Sequence, residues 1–413
     1  MAGKIQAPRG TFDVLPEDAG PRLALRRACE ESFARAGYGY VDTPAFEVTE
    51  LFARGVGETT DIVQKEMFTF EDQGGRSVTL RPEGTAPICR AYVEHGMHKR
   101  PQPVKLWYWG PFFRYEAPQA GRYRQFNQVG VEAIGSDRPS VDAEVIVLLA
   151  DLLARAGVRE ARLRISSLGT PETRRAYSDE LREYLRSREG ELSDDVRSRL
   201  DANPLRAFDS DDPGTRAVVR DAPRLIDRLA GDDAAHFAEV RRLLDAAGVG
   251  YEVDGTLVRG LDYYTRTVFE FTSDALGAQS GVGGGGRYDL LIEQLGGPPT
   301  PGVGWAAGIE RIVLASGAAA EAEHPDVYVA HDEESAGPAF ELASALLRTG
   351  LSAQLEHLGR SAKGQLKHAD RLGARFVVRA DGHGFTVRDM GSGDERAARD
   401  SEEAVRIVRE ALA

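Results

Sequence analysis

Cysteine is scarce in this 413-residue chain, with only Cys29 and Cys89 present. Two thiols cannot build a disulfide framework or a cysteine-ligated zinc site, and their scarcity fits a reducing compartment. Long apolar runs are missing too: none approaches the ~18 residues that would cross a bilayer. The first stretch, MAGKIQAPRGTFDVLPED, lacks the apolar core and cleavage pattern of a secretory leader, so the expected location is cytoplasmic. Positive charge is in deficit: 52 Lys and Arg against 65 Asp and Glu leave a formal net charge of −13. That balance excludes a protein that coats nucleic acid non-specifically, but it allows a local basic face on which a structured RNA docks. Two nucleotide-binding signatures are absent. No GxxxxGK[ST] loop occurs, and the glycine run GVGGGGRYD (281–289) has no βαβ pattern around it. A nucleotide would have to be held on an antiparallel sheet by arginines and metal ions.

What is present describes a soluble globular chain, 42% hydrophobic and 28% charged, long enough for two or three domains. Residues 17–36 read as an amphipathic helix with Leu23, Leu25, Cys29 and Phe33 near helical spacing, ended by Gly37. YVDTPAFEVTELF reads as an extended piece broken by Pro44. PVKLWYWGPFFRYE and RQFNQVGVEAIG read as strands rich in aromatic and β-branched residues. From about 170 to 248 charged runs dominate, and exposed helix is expected. Strands return in YEVDGTLVRGLDYYTRTVFEFTSD. The alanine-rich stretch 315–326 reads as a linker, after which strand and helix alternate as in a small α/β domain.

Chemistry concentrates at residues 110–135, GPFFRYEAPQAGRYRQFNQVGVEAIG. Side chains alternate along a strand, which groups Phe112, Arg114 and Glu116 on one face and Phe126, Gln128, Gly130 and Glu132 on another. If the faces coincide, a sheet floor displays arginine, carboxylate, amide and an aromatic plate, and Gly130 lets a ligand lie close to the backbone. The alternative is an antiparallel sheet whose charged face is simply solvated. In LRPEGTAPICRAYVEH, Thr85 reads as a helix N-cap and Glu83 as a ligand contact or a capping carboxylate. In VRGLDYYTRTVFEF, alternation puts Asp262, Tyr264 and Arg266 on one face. In TPGVGWAAGIERIVLA, a strand entering a helix, Gly304, Gly308 and Arg311 read as one helix face packed under a ligand.

Taken together, these stretches resemble the class II aminoacyl-tRNA synthetases, and within them the histidyl-tRNA synthetase family. AGYGYVDTPAFE, GPFFRYE…GRYRQFNQVGVE and GVGWAAGIERI are similar to the three class motifs. RGLDYYTRTVFEF and GGGGRYD are similar to the two signatures of the histidine enzymes, and RGTFDVLPED, TLRPEGTA and NPLRAFDS match as well. The resemblance implies an α+β fold: an antiparallel sheet of six or seven strands flanked by helices, with a helical insertion and a C-terminal α/β anticodon-binding domain. It implies catalytic segments at 1–169 and 249–318, the insertion at 170–248 and the anticodon domain at 325–413.

The implied reaction joins ATP and L-histidine to histidyl-adenylate and then passes histidine to the 3′ end of tRNA(His). By similarity, Arg114 and Arg259 hold the α-phosphate as the catalytic pair. Arg122 and Arg311 hold the outer phosphates, Glu116 belongs to the same ATP site, Phe126 stacks on adenine, and Mg2+ bridges the phosphates. Glu83, Gly84, Thr85 and Gln128 meet the α-ammonium end of histidine, Glu132 and Tyr264 the imidazole, and Tyr263 and Tyr288 line the pocket. Gln119 is expected near the tRNA acceptor end, and Arg360, Lys363, Lys367 and Arg371 form a candidate anticodon-side helix face, with a solvated basic face as the alternative. No metal site built from cysteine or histidine is expected, and a homodimer with the first motif at its interface is. Two departures stand out: Ala117 takes the place of an arginine frequent in bacterial relatives, and Gly283 and Gly284 stand where Cys or Ala is common, which suggests a looser loop. A histidine-sensing regulatory subunit of ATP phosphoribosyltransferase, lacking the anticodon domain, and a synthetase of the same class for another amino acid are the competing expectations.

Overall fold

Two ten-residue strands, VKLWYWGPFF and QFNQVGVEAI, the second buried on both faces over its last six residues, form the hairpin on which the large sheet is built. The computed structural model describes residues 4–57, 60–158, 160–257, 260–277, 280–319 and 324–412. It divides into two compact units, Met1–Ala320 and Glu321–Ala413. In chain order the strands of the first unit are β1 (Gly39–Tyr40), β2 (Phe46–Val48), β3 (Thr69–Glu71), β4 (Ser77–Leu80), β5 (Val104–Phe113), β6 (Gln125–Ile134), β7 (Ala161–Ser167), β8 (Glu252–Val253), β9 (Thr265–Ser273), β10 (Gly281–Arg287) and β11 (Gly302–Gly308).

Eight of them form one sheet in the order β1-β5-β6-β11-β10-β9-β7-β8, and β2-β4-β3 form a small second sheet. The six inner strands of the large sheet are mutually antiparallel, while the two-residue edges β1 and β8 pair in parallel with β5 and β7. Such short edges carry too little pattern to be read from sequence, so the sheet exceeds the expected six or seven strands.

One face of the sheet is apolar. Val129, Val131 and Ala133 of β6 pack with Trp305 and with residues of the helices Pro16–Arg35, Pro139–Arg155 and Gly231–Ala246. The buried stripe of the first helix is Leu25, Cys29 and Phe33, spaced i, i+4, i+8; Leu23 is half exposed and does not belong to it. The opposite face of β6 carries Phe126, Gln128, Gly130 and Glu132, and it is overlaid by the helix Thr85–Glu94 and by Tyr263, Tyr264 and Tyr288.

Several local readings are corrected. The piece after Pro44 ends in a helix, Thr49–Val56. β5 ends at Phe113, so Arg114 and Glu116 lie in the following loop rather than on the strand. Arg266 takes a left-handed φ of 43°, which breaks the alternation inferred for Asp262, Tyr264 and Arg266. Gly304 and Gly308 are strand residues of β11, and only Arg311 lies in the helix Ile309–Ser316. The glycine run is strand β10, inside the sheet between β11 and β9, and not a loop. Within 170–248 the helices are not merely exposed: Tyr177, Leu181, Leu185 and Val218 are buried in the same apolar cluster as Tyr108 and Tyr288.

The second unit is a five-stranded sheet of β12 (Val327–His331), β13 (Ala353–Leu355), β14 (Phe376–Asp381), β15 (Gly384–Asp389) and β16 (Glu395–Ala398), in the order β13-β12-β14-β15-β16. The first three in that order are parallel, which the crossover helices Ala336–Arg348 and Ala362–Leu372 permit; β15 and β16 add antiparallel hairpins. Of the stretch read as a linker, 320–323 lie outside the described residues.

Candidate active site

The β5–β6 register sets Leu106 opposite Glu132, Tyr108 opposite Gly130, Gly110 opposite Gln128 and Phe112 opposite Phe126. Tyr108 points across the hairpin over two glycines. A Cβ on Gly84 would come within 2.6 Å of its ring, and a Cβ on Gly130 would collide with its hydroxyl end. Gly304 of β11 is the register partner of Glu132, and any side chain there would fall on the carboxylate. The glycines therefore clear a polar chamber between the sheet and the helix Thr85–Glu94.

Glu132 is fully buried at the floor of this chamber. Its two oxygens accept from the Thr85 hydroxyl at 2.7 Å and the Tyr288 hydroxyl at 2.5 Å. Burial pushes its pKa up to about 8, the two hydroxyls pull it back, and the charge of Glu83 adds to the rise. Glu83 is the helix cap: its carboxylate accepts from the backbone N–H of Thr85 at 2.7 Å and of Ala86 at 2.9 Å. Thr85 is thus the first helical residue rather than the N-cap, and its hydroxyl is spent on Glu132. Burial raises the pKa of Glu83 as well, against those backbone bonds.

Three tyrosines wall the chamber. Tyr263 meets Tyr264 and Tyr288 edge-on, with ring centroids 4.7 and 5.9 Å apart. Tyr288 is fixed by its neighbours in the chain. The Arg287 guanidinium is wholly buried, pairs with Asp142 and Asp289, and donates to the carbonyl of Ser136 at 2.9 Å. Asp142 also meets His236 at 3.3 Å. The Tyr108 hydroxyl and the Gln128 Oε1 are buried with no hydrogen-bond partner among the described residues. Unpaired buried polar atoms are uncommon in native structures, and two of them at one chamber mark a place for a polar ligand.

Gln128 also lines an adjoining cavity of about 270 Å³, together with Arg114, Glu116, Arg122, Phe126 and Arg311. Arg114 lies 5.3 Å over the Phe126 ring and donates to the carbonyl of Pro82 at 2.8 Å. Arg311 reaches the carbonyl of Gly121 at 3.3 Å. Burial, with the charge of Arg122 beside it, lowers the Arg311 pKa. Cations that crowd one another in this way suit an anionic ligand. Glu270 lines the same cavity while pairing with Arg164 at 2.6 Å. Glu116 lies 3.2 Å from Arg122, yet its buried Oε2 makes no hydrogen bond.

Other singled-out residues fall elsewhere. Val258 and Arg259 lie outside the described residues. Arg266 turns away to Asp233, 3.1 Å off, on the helix Gly231–Ala246. Gln119 sits exposed at the tip of the 114–124 loop, closed by reciprocal backbone bonds with Arg122 of 3.1 and 2.9 Å. In the second unit, Lys363, Lys367 and Arg371 line one exposed side of a helix, but Arg360 precedes that helix and pairs with the buried Glu356 at 3.0 Å. A cavity of about 830 Å³ there is bordered by Arg360, Lys363, Arg379, His383 and Arg388.

Sequence reasoning missed Tyr108, Glu270, Arg379 and Arg388. A tyrosine in an aromatic strand looks like packing, and only its register with Gly130 shows otherwise. Glu270 did carry a signal, as a lone charge within VFEF. Among the described residues no group of three or more His, Cys, Asp or Glu is placed to hold a metal ion, and no helix is long and apolar enough to cross a membrane.

Comparison with known proteins gives a consistent result. A family profile described as histidyl-tRNA synthetase matches residues 10–312. A histidine–tRNA ligase of Rubrobacter xylanophilus is 50% identical over 404 residues, covering 94% of this chain and 95% of the relative. The crystal structure of a histidyl-tRNA synthetase from S. aureus superposes with a TM-score of 0.82 at 36% identity, covering 98% of this chain and 100% of the other. A Bacillus halodurans structure, named as an ATP phosphoribosyltransferase regulatory subunit/histidyl-tRNA synthetase, superposes with a TM-score of 0.68 at 25% identity, covering 92% and 99%.

Proposed function

The chain belongs to the histidyl-tRNA synthetase family, and from that premise we propose how its residues divide the work of a histidine–tRNA ligase. The enzyme activates histidine with ATP, releasing pyrophosphate, and transfers the histidyl group to the 3′ end of tRNA(His). The observation that carries the substrate assignment is Glu132: a buried carboxyl of pKa about 8 with a hydroxyl on each oxygen. Imidazole offers one N–H donor and one acceptor, and a carboxyl that titrates in its range can meet it with or without a proton. Few other amino-acid side chains satisfy such a buried partner, and those that leave it unpaired are strongly rejected.

In this reading Glu132 and Tyr264 take the imidazole, and Tyr263 and Tyr288 hold the walls. Glu83, Thr85 and Gln128 take the α-ammonium group, with Gly84 allowing close backbone approach. Gln128 reaches both chambers and so stands where the amino acid meets the nucleotide. Arg114 and Arg259 hold the α-phosphate, where negative charge grows as the histidine carboxylate attacks. Arg122 and Arg311 hold the outer phosphates, and Phe126 stacks on adenine. Mg2+ prefers hard oxygen donors and one or two protein carboxylates beside phosphates. The carboxylates of Glu116, which faces Arg122 at 3.2 Å, and of Glu270 both line the cavity and fit that donor set. The ion would neutralise phosphate charge.

The same reading gives the second unit, from about 325 to 413, to the anticodon, and the helical segment 170–248 to an insertion. The loop tip around Gln119 faces the acceptor end. The cavity bordered by Arg379 and Arg388, with the row Lys363, Lys367 and Arg371, supplies the basic surface an RNA needs despite the net acidity. A cytoplasmic homodimer completes the reading. Phe46, Val48 and Phe70 are each about half exposed on one face of the β2-β4-β3 sheet, a patch suited to a second copy.

A regulatory subunit that only senses histidine would need neither the arginine-lined cavity nor an anticodon unit. Histidine-dependent ATP–pyrophosphate exchange separates the readings, with wild type and Arg259→Ala side by side. Exchange with histidine alone, lost in the variant, is expected. Histidine binding without exchange would overturn the ligase reading.

A further inference from the structure

The stretch Pro8–Phe12 runs into RGTFDVLPED (9–18), one of the stretches carrying the family resemblance, yet it borders neither chamber of the site. It lies against the outside of the 114–124 loop. Thr11 N–H donates to the Pro8 carbonyl at 3.0 Å and the Thr11 hydroxyl donates to it at 2.8 Å, closing a four-residue turn. Gly10, third in the turn, has φ +86°. Its carbonyl accepts from the Arg124 N–H at 2.7 Å. A Cβ on Gly10 would stand 2.8 and 2.9 Å from Cγ and Cδ of Arg124 and 3.1 Å from Cγ of Pro118. Glycine is therefore required twice, by backbone conformation and by contact. Beside it the Phe12 ring packs on Tyr123, with centroids 4.5 Å apart.

The contacts continue inward. The Arg124 guanidinium lies 3.8 Å over the Tyr115 ring, and its Nε donates to the Glu116 carbonyl at 3.3 Å. The Arg124 carbonyl accepts from the Arg114 N–H at 3.0 Å. A chain of packed groups thus runs from Gly10 and Phe12, through Tyr123 and Arg124, to the backbone of Arg114 and Glu116, and Arg122 pairs with Glu116. The 114–124 loop is long for a hairpin connection, and a long loop left to itself must be ordered when its ligand arrives.

We propose that the Pro8–Phe12 turn is a positioning element for the nucleotide-binding loop, with Gly10 and Phe12 holding Arg114, Glu116 and Arg122 in place for the phosphates. The inference rests on the assignment of the arginine-lined cavity to ATP. It gives a role to a motif that touches no substrate, and it places part of the ATP affinity outside the three class motifs.

The test uses the full chain with Phe12→Ala, Phe12→Tyr, Gly10→Ala and Arg122→Ala. Pyrophosphate exchange is measured over ATP and histidine concentrations, and histidine binding by calorimetry. Phe12 is 41% exposed and outside the buried core, so its removal leaves no enclosed cavity. Phe12→Ala and Gly10→Ala are expected to raise KM for ATP roughly tenfold while histidine affinity holds within about twofold. Phe12→Tyr, which keeps the ring contact, is expected to retain the wild-type KM. An unchanged KM for ATP in Phe12→Ala and Gly10→Ala, with Arg122→Ala still raising it, would overturn the proposal alone. An unchanged KM in Arg122→Ala would remove the ATP assignment and the proposal with it. Equal losses toward ATP and histidine, with a lower unfolding temperature, would reduce the turn to a structural element and also overturn it.

Discussion

Replacing Glu132 by glutamine should make the protein more stable at alkaline pH and nearly inactive. The folded-state pKa of Glu132 is about 8 against an ordinary 4.5. The folded state thus binds this proton more tightly than the unfolded chain does. Its contribution to stability is complete below pH ~4.5 and is lost as pH rises toward about 8. At about 1.4 kcal/mol per unit, the whole span is worth on the order of 5 kcal/mol. Between about pH 5.5 and 8.5 the wild type should lose about 3 kcal/mol that Glu132→Gln, with no proton to lose, keeps. The readout is built in: all three tryptophans lie in the first unit, and Trp107 and Trp305 flank Val131, next to Glu132, in register. Urea unfolding followed by tryptophan fluorescence across that pH range measures the difference. A stability difference that does not change with pH would refute the argument, because it would mean the carboxyl does not titrate there. The same variant should lose roughly a hundredfold in histidine-dependent exchange, since an amide can neither release nor take up the proton that lets the carboxyl match either form of imidazole.

Three further outcomes are expected. Asp142→Asn leaves the buried Arg287 short of its carboxylate, so the first unit should lose about 3–5 kcal/mol in the same fluorescence assay. Tyr288→Phe removes one of the two hydroxyl donors to Glu132, and KM for histidine should rise about tenfold or more while KM for ATP stays put in exchange kinetics. Phe46→Asp with Val48→Asp places charge on the exposed face of the small sheet; under the proposed homodimer, light scattering should give a dimer mass for the wild type and a monomer mass for the folded variant.

Part of the site could be read from the chain because β6 alternates, with Gln128, Gly130 and Glu132 on one face and Val129, Val131 and Ala133 on the other. Glu132 and Gln128 stand out there as polar groups between Val129, Val131 and Ala133. Other features depend on which strand lies beside which. Gly84, Gly130 and Gly304 look alike in sequence, yet two of them clear space for Tyr108 and the third for the Glu132 carboxylate. Arg266 continues an alternation in the sequence, but its left-handed backbone turns it to Asp233. Arg360 extends a helical row in the sequence, but it precedes the helix and serves Glu356. The two-residue edges of the large sheet are held by their neighbours and have no periodicity of their own. Arg379 and Arg388 sit on adjacent strands of the second unit, and only folding brings them to Lys363.

The glycine strand β10 carries one more consequence. Gly283 pairs with Ala307 across the β10–β11 ladder, and a Cβ added to Gly283 would lie 2.6 Å from the Ala307 Cβ. The two positions share room for a single methyl group, and this chain gives it to β11. Where a family member carries Cys or Ala at the first position, the second must give up its own methyl or the ladder must spread. The choice at 283 is thus half of a two-site exchange: Gly283→Ala alone should strain the sheet, and Gly283→Ala together with Ala307→Gly should relieve it.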